Sequence, residues 1–224
     1  MPHSNSEAPR PRQIAVFDLD VTLTRYDTYL PFLFGYLRRN PKRILPLSLL
    51  PFKLLAVWRW RNRRWVKQSF LTAFLGGEPK ARLQQWAQLF ADSIFAKAMR
   101  DPGLKRLRAH QDAGDRVVLA SASFDIYVEL IAKHLQIDEV IASNLRWDEQ
   151  QNLAGIEGEN CRHEEKLKRV KALLQQDSGD HVTAYSDSHA DLPLLAWAQV
   201  GVAVCPSKRL THQVAGLELE VVDW

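Results

Sequence analysis

Short apolar runs alternate with amphipathic stretches along this chain, and several of the runs end in polar clusters. Gln13 to Phe17, Arg116 to Ala120, His181 to Tyr185 and Gln199 to Val204 read as strands, Glu139 to Ala142 as another, and Glu218 to Val222 as an edge strand. Pro102 to Ala113 reads as a helix that starts after Asp101 and is closed by Gly114. Phe124 to Leu135 has apolar helical spacing, and Lys166 falls in an amphipathic helix whose apolar face is Leu167, Val170, Leu173 and Leu174. Arg146 to Gly155, around the polar turn from Asp148 to Asn152, reads as a hairpin. This alternation predicts an α/β fold, a doubly wound parallel sheet with its sites at the C-terminal ends of the strands.

The polar residues at those ends make a chemical set. Asp18 and Asp20 follow the first strand, Ser121 and Ser123 the second, and Asp187 and Asp191 the third, with Lys166 between. Each alone has an ordinary explanation: loop aspartates, a helix cap, a solvated helix lysine. Together they suit phosphoryl transfer through an aspartyl phosphate. Asp18 is the candidate nucleophile and Asp20 the acid and base for the leaving oxygen and the incoming water. Ser121 would hydrogen-bond a phosphoryl oxygen, with Thr22 and Ser123 as further substrate contacts. Lys166 would offset transition-state charge, and Asp191 would hold Lys166 or a metal-bound water in place. Crowded carboxylates raise each other's pKa, so Asp18 and Asp187 together imply a cation. Mg²⁺ suits oxygen ligands, and the sequence has no Cys/His cluster of the kind that binds zinc.

These residues resemble the haloacid dehalogenase superfamily of phosphatases: the DxDxT motif (Asp18, Asp20, Thr22), the hydroxyl after a strand (Ser121), the Lys166 helix and the SDxxxD motif (Asp187, Asp191). The resemblance spans residues 13 to about 210. It implies a Rossmann-like core, a nucleophilic Asp18, an acid/base Asp20, and Mg²⁺ held by Asp18, Asp187 and the main-chain carbonyl of Asp20. Residues 25–96 resemble the helical cap of the phosphoserine-phosphatase-like subfamily, leaving 13–24 and 97–224 as the core. The family usually has Gly or Ser where this chain has Val21, a β-branched residue that restricts the dihedrals of a tight phosphate loop.

With 224 residues, 46% of them hydrophobic and 25% charged, the chain can bury a sizeable core. Its two cysteines, Cys161 and Cys205, argue against a disulfide framework and fit a reducing compartment. Residues 1–12 are polar, lack an apolar signal-peptide core, and read as a mobile tail. His163 and His189 lie near the motifs and are expected to be solvated loop residues.

Charge changes the picture between Thr28 and Gly77. This stretch holds ten Lys and Arg and no Asp or Glu; removing those ten cations from a chain of net charge +4 leaves the remainder at −6. Within it, Ile44 to Trp58 is strongly apolar. At about 1.5 Å per helical residue it reaches roughly 22 Å, short of the ~30 Å hydrocarbon core, so a span is not expected. Pro46 and Pro51 also break it. Trp58, Trp60 and Trp65 beside Arg clusters suit insertion into an anionic membrane surface. The competing reading is a buried cap seam with snorkelling arginines. A contiguous apolar run fits lipid better than nucleic acid, and no nucleic-acid partner is expected.

Asp27 falls where phosphoserine phosphatases carry an acidic residue that meets the substrate amine. The segment Gln68 to Leu75, where they place a carboxylate-binding Arg, is uncharged. Apolar cap and basic rim are more similar to the bacterial phosphatidylglycerophosphatase C type. The resemblance therefore implies a lipid-headgroup phosphatase, cytoplasmic and peripheral at the inner membrane. A soluble phosphoserine-type enzyme stands as one alternative and a catalytically weak membrane- or nucleic-acid-binding protein as the other.

Overall fold

The computed structural model describes residues 12–42, 63–175, 180–213 and 218–224. Residues 1–11 of the N-terminal tail and the apolar run from Ile44 to Trp58, together with Trp60, lie outside the described residues.

Eight strands are described: β1 (Gln13–Phe17), β2 (Arg116–Phe124), β3 (Glu139–Ser143), β4 (Leu145–Trp147), β5 (Leu153–Ile156), β6 (His181–Ser186), β7 (Val200–Val204) and β8 (Leu219–Val222). The helices are α1 (Tyr29–Arg39), α2 (Arg63–Leu75), α3 (Lys80–Lys97), α4 (Asp101–Asp112), α5 (Asp125–His134), α6 (Glu164–Leu174), α7 (Leu192–Trp197) and α8 (Lys208–Gln213). Six strands form a parallel sheet in the order β3-β2-β1-β6-β7-β8, and β4 pairs with β5 as an antiparallel hairpin. The predicted α/β doubly wound sheet is present, with β8 at its edge.

Alternation within β1 builds a core on each face of the sheet. Ala15 and Phe17 pack with α3, α4 and α5 on one side, whereas Ile14 and Val16 pack with α6 and α7 on the other. That is why the run is apolar throughout rather than alternating with polar residues.

Register brings the strand ends level. Phe17 lies opposite Leu119 of β2 on one side and Tyr185 of β6 on the other, so the pairing of β1 with both neighbours ends at one level. Sheet order reverses between β2 and β6 on the two flanks of β1, which opens a crevice there. Strand β2 runs to Phe124, beyond the predicted Ala120, because its pairing with β3 breaks after Ala120 and resumes at Phe124 opposite Ser143. The bulge holds Ser121, Ala122 and Ser123.

Helices α1, α2 and α3 stand over this end of the sheet. Phe32 of α1 and Phe90 of α3 meet Tyr127 of α5 at ring separations of 4.6 and 5.2 Å. Trp86 donates its indole N–H to the Phe32 carbonyl and lies against Gly35, where a Cβ would stand 2.7 Å from the ring. The hairpin props α2 from the side: Gln68 accepts from the Ile156 N–H, and Gly77 N–H donates to the Leu153 carbonyl. No described helix is long and apolar enough to cross a membrane.

Candidate active site

Asp18 begins the loop after β1, and its main-chain N–H still donates to the Tyr185 carbonyl, tying it to the end of β6. The carboxylate is buried. Lys166, from the first turn of α6, reaches it at 2.8 Å (Oδ1) and reaches Asp191 Oδ2 at 2.6 Å. Ser186 also donates to Asp191, at 2.8 Å. Lys166 is buried because Leu167 and Val170 press α6 onto the sheet and take the lysine with them.

Burial dominates the titration of this cluster. It raises the Asp18 pKa well above the carboxylate range; Lys166 opposes the rise, and Asp191, Asp187 and Asp20 add to it. Burial also works against the charge on Lys166, but Asp18 and Asp191 outweigh it, so the ammonium is held. Asp187 is pushed up to about 7, by burial first and then by Asp191.

The loop from Leu19 to Leu23 is tight. Val21 has a φ of 62°, a left-handed conformation unusual for a β-branched side chain. Thr24 closes the loop: its N–H donates to the Leu19 carbonyl, and its hydroxyl accepts the Val21 N–H. Here lies the physical reason for a small residue after the second aspartate, since the loop needs a backbone that glycine adopts freely.

Asp20 faces Thr28 and the β2 bulge rather than Lys166. One carboxylate oxygen accepts the N–H and hydroxyl of Thr28 at 2.7 and 2.6 Å. The other accepts from Ser123 at 2.6 Å and from Ser121 at 3.3 Å. Thr22 is fully buried, and its hydroxyl accepts the Asp187 N–H at 3.0 Å, bracing the first motif against the last. Asp27 accepts the Tyr29 N–H at the start of α1, and burial raises its pKa.

A cavity of about 1110 Å³ opens between the sheet end and helices α1 and α2, with Asp20, Asp27, Ser123, Asn160 and Arg162 among its polar lining. Its apolar wall is Tyr26, Tyr29, Leu30, Pro31, Val66 and Phe70. Asp18, Ser121, Lys166, Asp187 and Asp191 do not line it. His163 is an exposed loop residue that also lines the cavity, with its ring 6.2 Å from that of His189.

Three contributors had no sequence signal that set them apart. Thr28 reads as an ordinary residue before a helix, and Asn160 as a loop amide. In sequence Lys67 is one of ten cations between Thr28 and Gly77 that suggest a basic surface. It is turned inward, donating to the Ala122 carbonyl and to Asn160 Oδ1 at 2.7 Å, and burial lowers its pKa to about 8.

Among the described residues no three His, Cys, Asp or Glu side chains already form a metal cage. Asp18, Asp187 and the Asp20 carbonyl are hard oxygen donors that could hold a cation, which would offset the burial that foremost raises both carboxyl pKa values. Such a partial oxygen shell fits Mg²⁺, which keeps several waters and binds substrate phosphate.

Residues 15–196 match the family model for haloacid dehalogenase-like hydrolases. Protein CicA of Caulobacter vibrioides is 31% identical over 186 residues, 83% of this chain and 82% of that protein. A Mycobacterium tuberculosis protein named "Probable phosphatase" is 25% identical over 213 residues, 93% of this chain and 74% of its own length. A solved Bordetella pertussis protein of unknown function shares the fold with a TM-score of 0.77 at 22% identity, over 95% of this chain and 99% of that one.

Proposed function

The chain belongs to the haloacid dehalogenase-like hydrolases, and on that premise we propose that it is a Mg²⁺-dependent phosphatase acting on the phosphate monoester of a lipid headgroup at a membrane surface. The observation that carries the lipid assignment is the cavity. About 1110 Å³ is just above the ~300–1,000 Å³ usual for small-ligand sites, and one whole wall is aromatic or aliphatic. Tyr26, Leu30 and Val66 continue from that wall to solvent, being 45%, 44% and 37% exposed. A glycerol backbone and the first methylenes of its acyl chains suit such a wall, while the phosphate reaches past Ser123.

Asp18 attacks phosphorus as the bond from phosphorus to the headgroup oxygen breaks, giving an aspartyl phosphate and an alkoxide that takes a proton from Asp20. Asp20 then removes a proton from water, which attacks the same phosphorus and releases inorganic phosphate and free Asp18. Thr28 and the two serines hold the Asp20 carboxyl in place for both transfers. Lys166 favours the ionised form of Asp18 against the pull of burial, and Asp191, itself held by Ser186, fixes the ammonium. When bound by Asp18, Asp187 and the Asp20 carbonyl, Mg²⁺ supplies the positive charge that offsets the phosphoryl oxygens.

Asp27 in the cavity favours a second reading, a phosphorylated amino acid whose ammonium meets that carboxylate. Phosphate release from phosphatidylglycerophosphate in mixed micelles and from phosphoserine, each with Mg²⁺ or EDTA, separates the two. Mg²⁺-dependent turnover of the lipid is the expected result. Turnover of phosphoserine alone would transfer the assignment to the soluble substrate, and turnover of neither would remove the phosphatase reading.

A further inference from the structure

The bulge in β2 leaves the Ala122 carbonyl without a strand partner, since pairing with β3 lapses between Ala120 and Phe124. Two side chains supply what the sheet does not. Ser143 Oγ lies 2.7 Å from the Ala122 carbonyl and 2.7 Å from Asn160 Oδ1, and accepts the Cys161 N–H at 3.1 Å. From the cap, Lys67 Nζ takes the same two acceptors, and its ammonium sits 4.8 Å from the Phe124 ring centre and 5.3 Å from that of Tyr29.

What lies beyond Ala122 gives the contact its meaning. The next peptide N–H, that of Ser123, donates to Ser121 Oγ at 3.0 Å, and Ser121 donates to Asp20. Every bond from Lys67 to Asp20 therefore points the same way: ammonium to carbonyl, N–H to hydroxyl, hydroxyl to carboxylate. Such head-to-tail chains polarise and tighten one another. Lys67 lines the cavity, yet two of its three ammonium protons are committed to protein acceptors.

We propose that Lys67 is a positioning residue for phosphoryl transfer: by clamping the Ala122 carbonyl from α2, it holds the Ser121–Ser123 bulge in the shape that presents both hydroxyls to Asp20. The site is then complete only when α2 lies against the core. This inference rests on the phosphatase reading for its catalytic consequence, though the clamp itself can be measured without turnover.

The test uses Lys67→Met in the full chain, which keeps the aliphatic stem, with p-nitrophenyl phosphate and Mg²⁺ as the probe. That substrate has no headgroup, so a lysine that only bound a headgroup would leave its turnover untouched. The expected result is a fall in kcat of about tenfold or more with KM within about threefold. Asn160→Ala should weaken the same clamp, and adding it to Lys67→Met should cost less than about twofold more, because the two act as one unit. Hydrogen exchange at Ser123 and Phe124 should speed up in Lys67→Met while β1 keeps its protection. A rise in KM with kcat unchanged, or unaltered exchange at the bulge, would overturn the proposal. If Lys67→Met loses its fold by circular dichroism, Asn160→Ala alone carries the same exchange and kcat expectations. A wild-type protein inert to p-nitrophenyl phosphate would count against the phosphatase reading, and the exchange result would then decide the clamp by itself.

Discussion

Lys166 Nζ stands 2.8 Å from Asp18 Oδ1, with both side chains almost closed to solvent. The lysine is also 2.6 Å from Asp191, so two buried carboxylates share one ammonium. Removing it as Lys166→Met strands both charges, and breaking such a pair costs about 3–5 kcal/mol. Urea denaturation at pH 8 should show that loss, which should shrink as pH falls because the raised pKa of Asp18 favours its protonation. Asp18→Asn keeps the shape and should abolish phosphate release with a much smaller change in the urea midpoint. Equal stability for Lys166→Met and wild type at pH 8 would contradict the buried pair.

Asp187 gives a pH dependence whose sign can be worked out. Its folded pKa of about 7 lies above the ordinary 3.8, so the native state binds the proton more tightly than the unfolded chain. Stability of the metal-free protein should therefore fall as pH rises from about 4 to about 7, then level off, the total being on the order of a few kcal/mol. Mg²⁺ competes with that proton, so its apparent affinity should tighten by up to about tenfold per pH unit over the same window. Denaturation at several pH values with EDTA or Mg²⁺ measures both effects, and Asp187→Asn should flatten both curves.

Val21 holds a left-handed backbone at φ 62° and is only partly buried, so its side chain contributes little packing to offset the strain. The strain costs about 1–2 kcal/mol, and glycine gives back about 0.4–1 kcal/mol in unfolded-chain entropy. Val21→Gly should therefore raise stability by about 0.5–1 kcal/mol, a Tm increase of about 1–4 °C for a chain of this length. Differential scanning calorimetry reads it directly, and a lower Tm would show that the loop relies on the valine.

Phe34 lies one helical turn beyond Leu30 on α1 and is 53% exposed, with its ring 5.4 Å from Phe74. On the lipid reading this stripe dips into the membrane interface, where burying a phenyl ring is worth about 2 kcal/mol. Phe34→Asp should weaken sedimentation with anionic vesicles by at least about tenfold. The rate on lipid micelles should fall relative to the rate on p-nitrophenyl phosphate. An unchanged ratio of the two rates would count against this face meeting lipid.

Much of the fold was legible because its signals are local. An apolar run that stops at two aspartates is visible within eight residues, and the helical spacing around Lys166 needs only Leu167, Val170 and Leu174. The β2 bulge was not legible. Ser121-Ala122-Ser123 reads as the polar end of a strand, and only pairing of Phe124 with Ser143 shows the strand resuming beyond it. Thr28 and Asn160 were missed for a related reason, since nothing near them in the chain announces a partner.

By itself, the sequence determined which chemical groups stand at the strand ends and the order in which the chain delivers them, because strand and helix periods are properties of neighbouring residues. Tertiary structure decided which groups meet. Parallel register set Phe17 beside Leu119 and Tyr185 and so brought Asp187 near Asp18 and Ser121 to Asp20. It also decided that Lys67 would turn inward, to acceptors 55 and 93 residues away, rather than join the basic surface. A lysine's fate depends on whether distant segments offer acceptors that replace its water, and that balance is struck only when the chain has closed on itself.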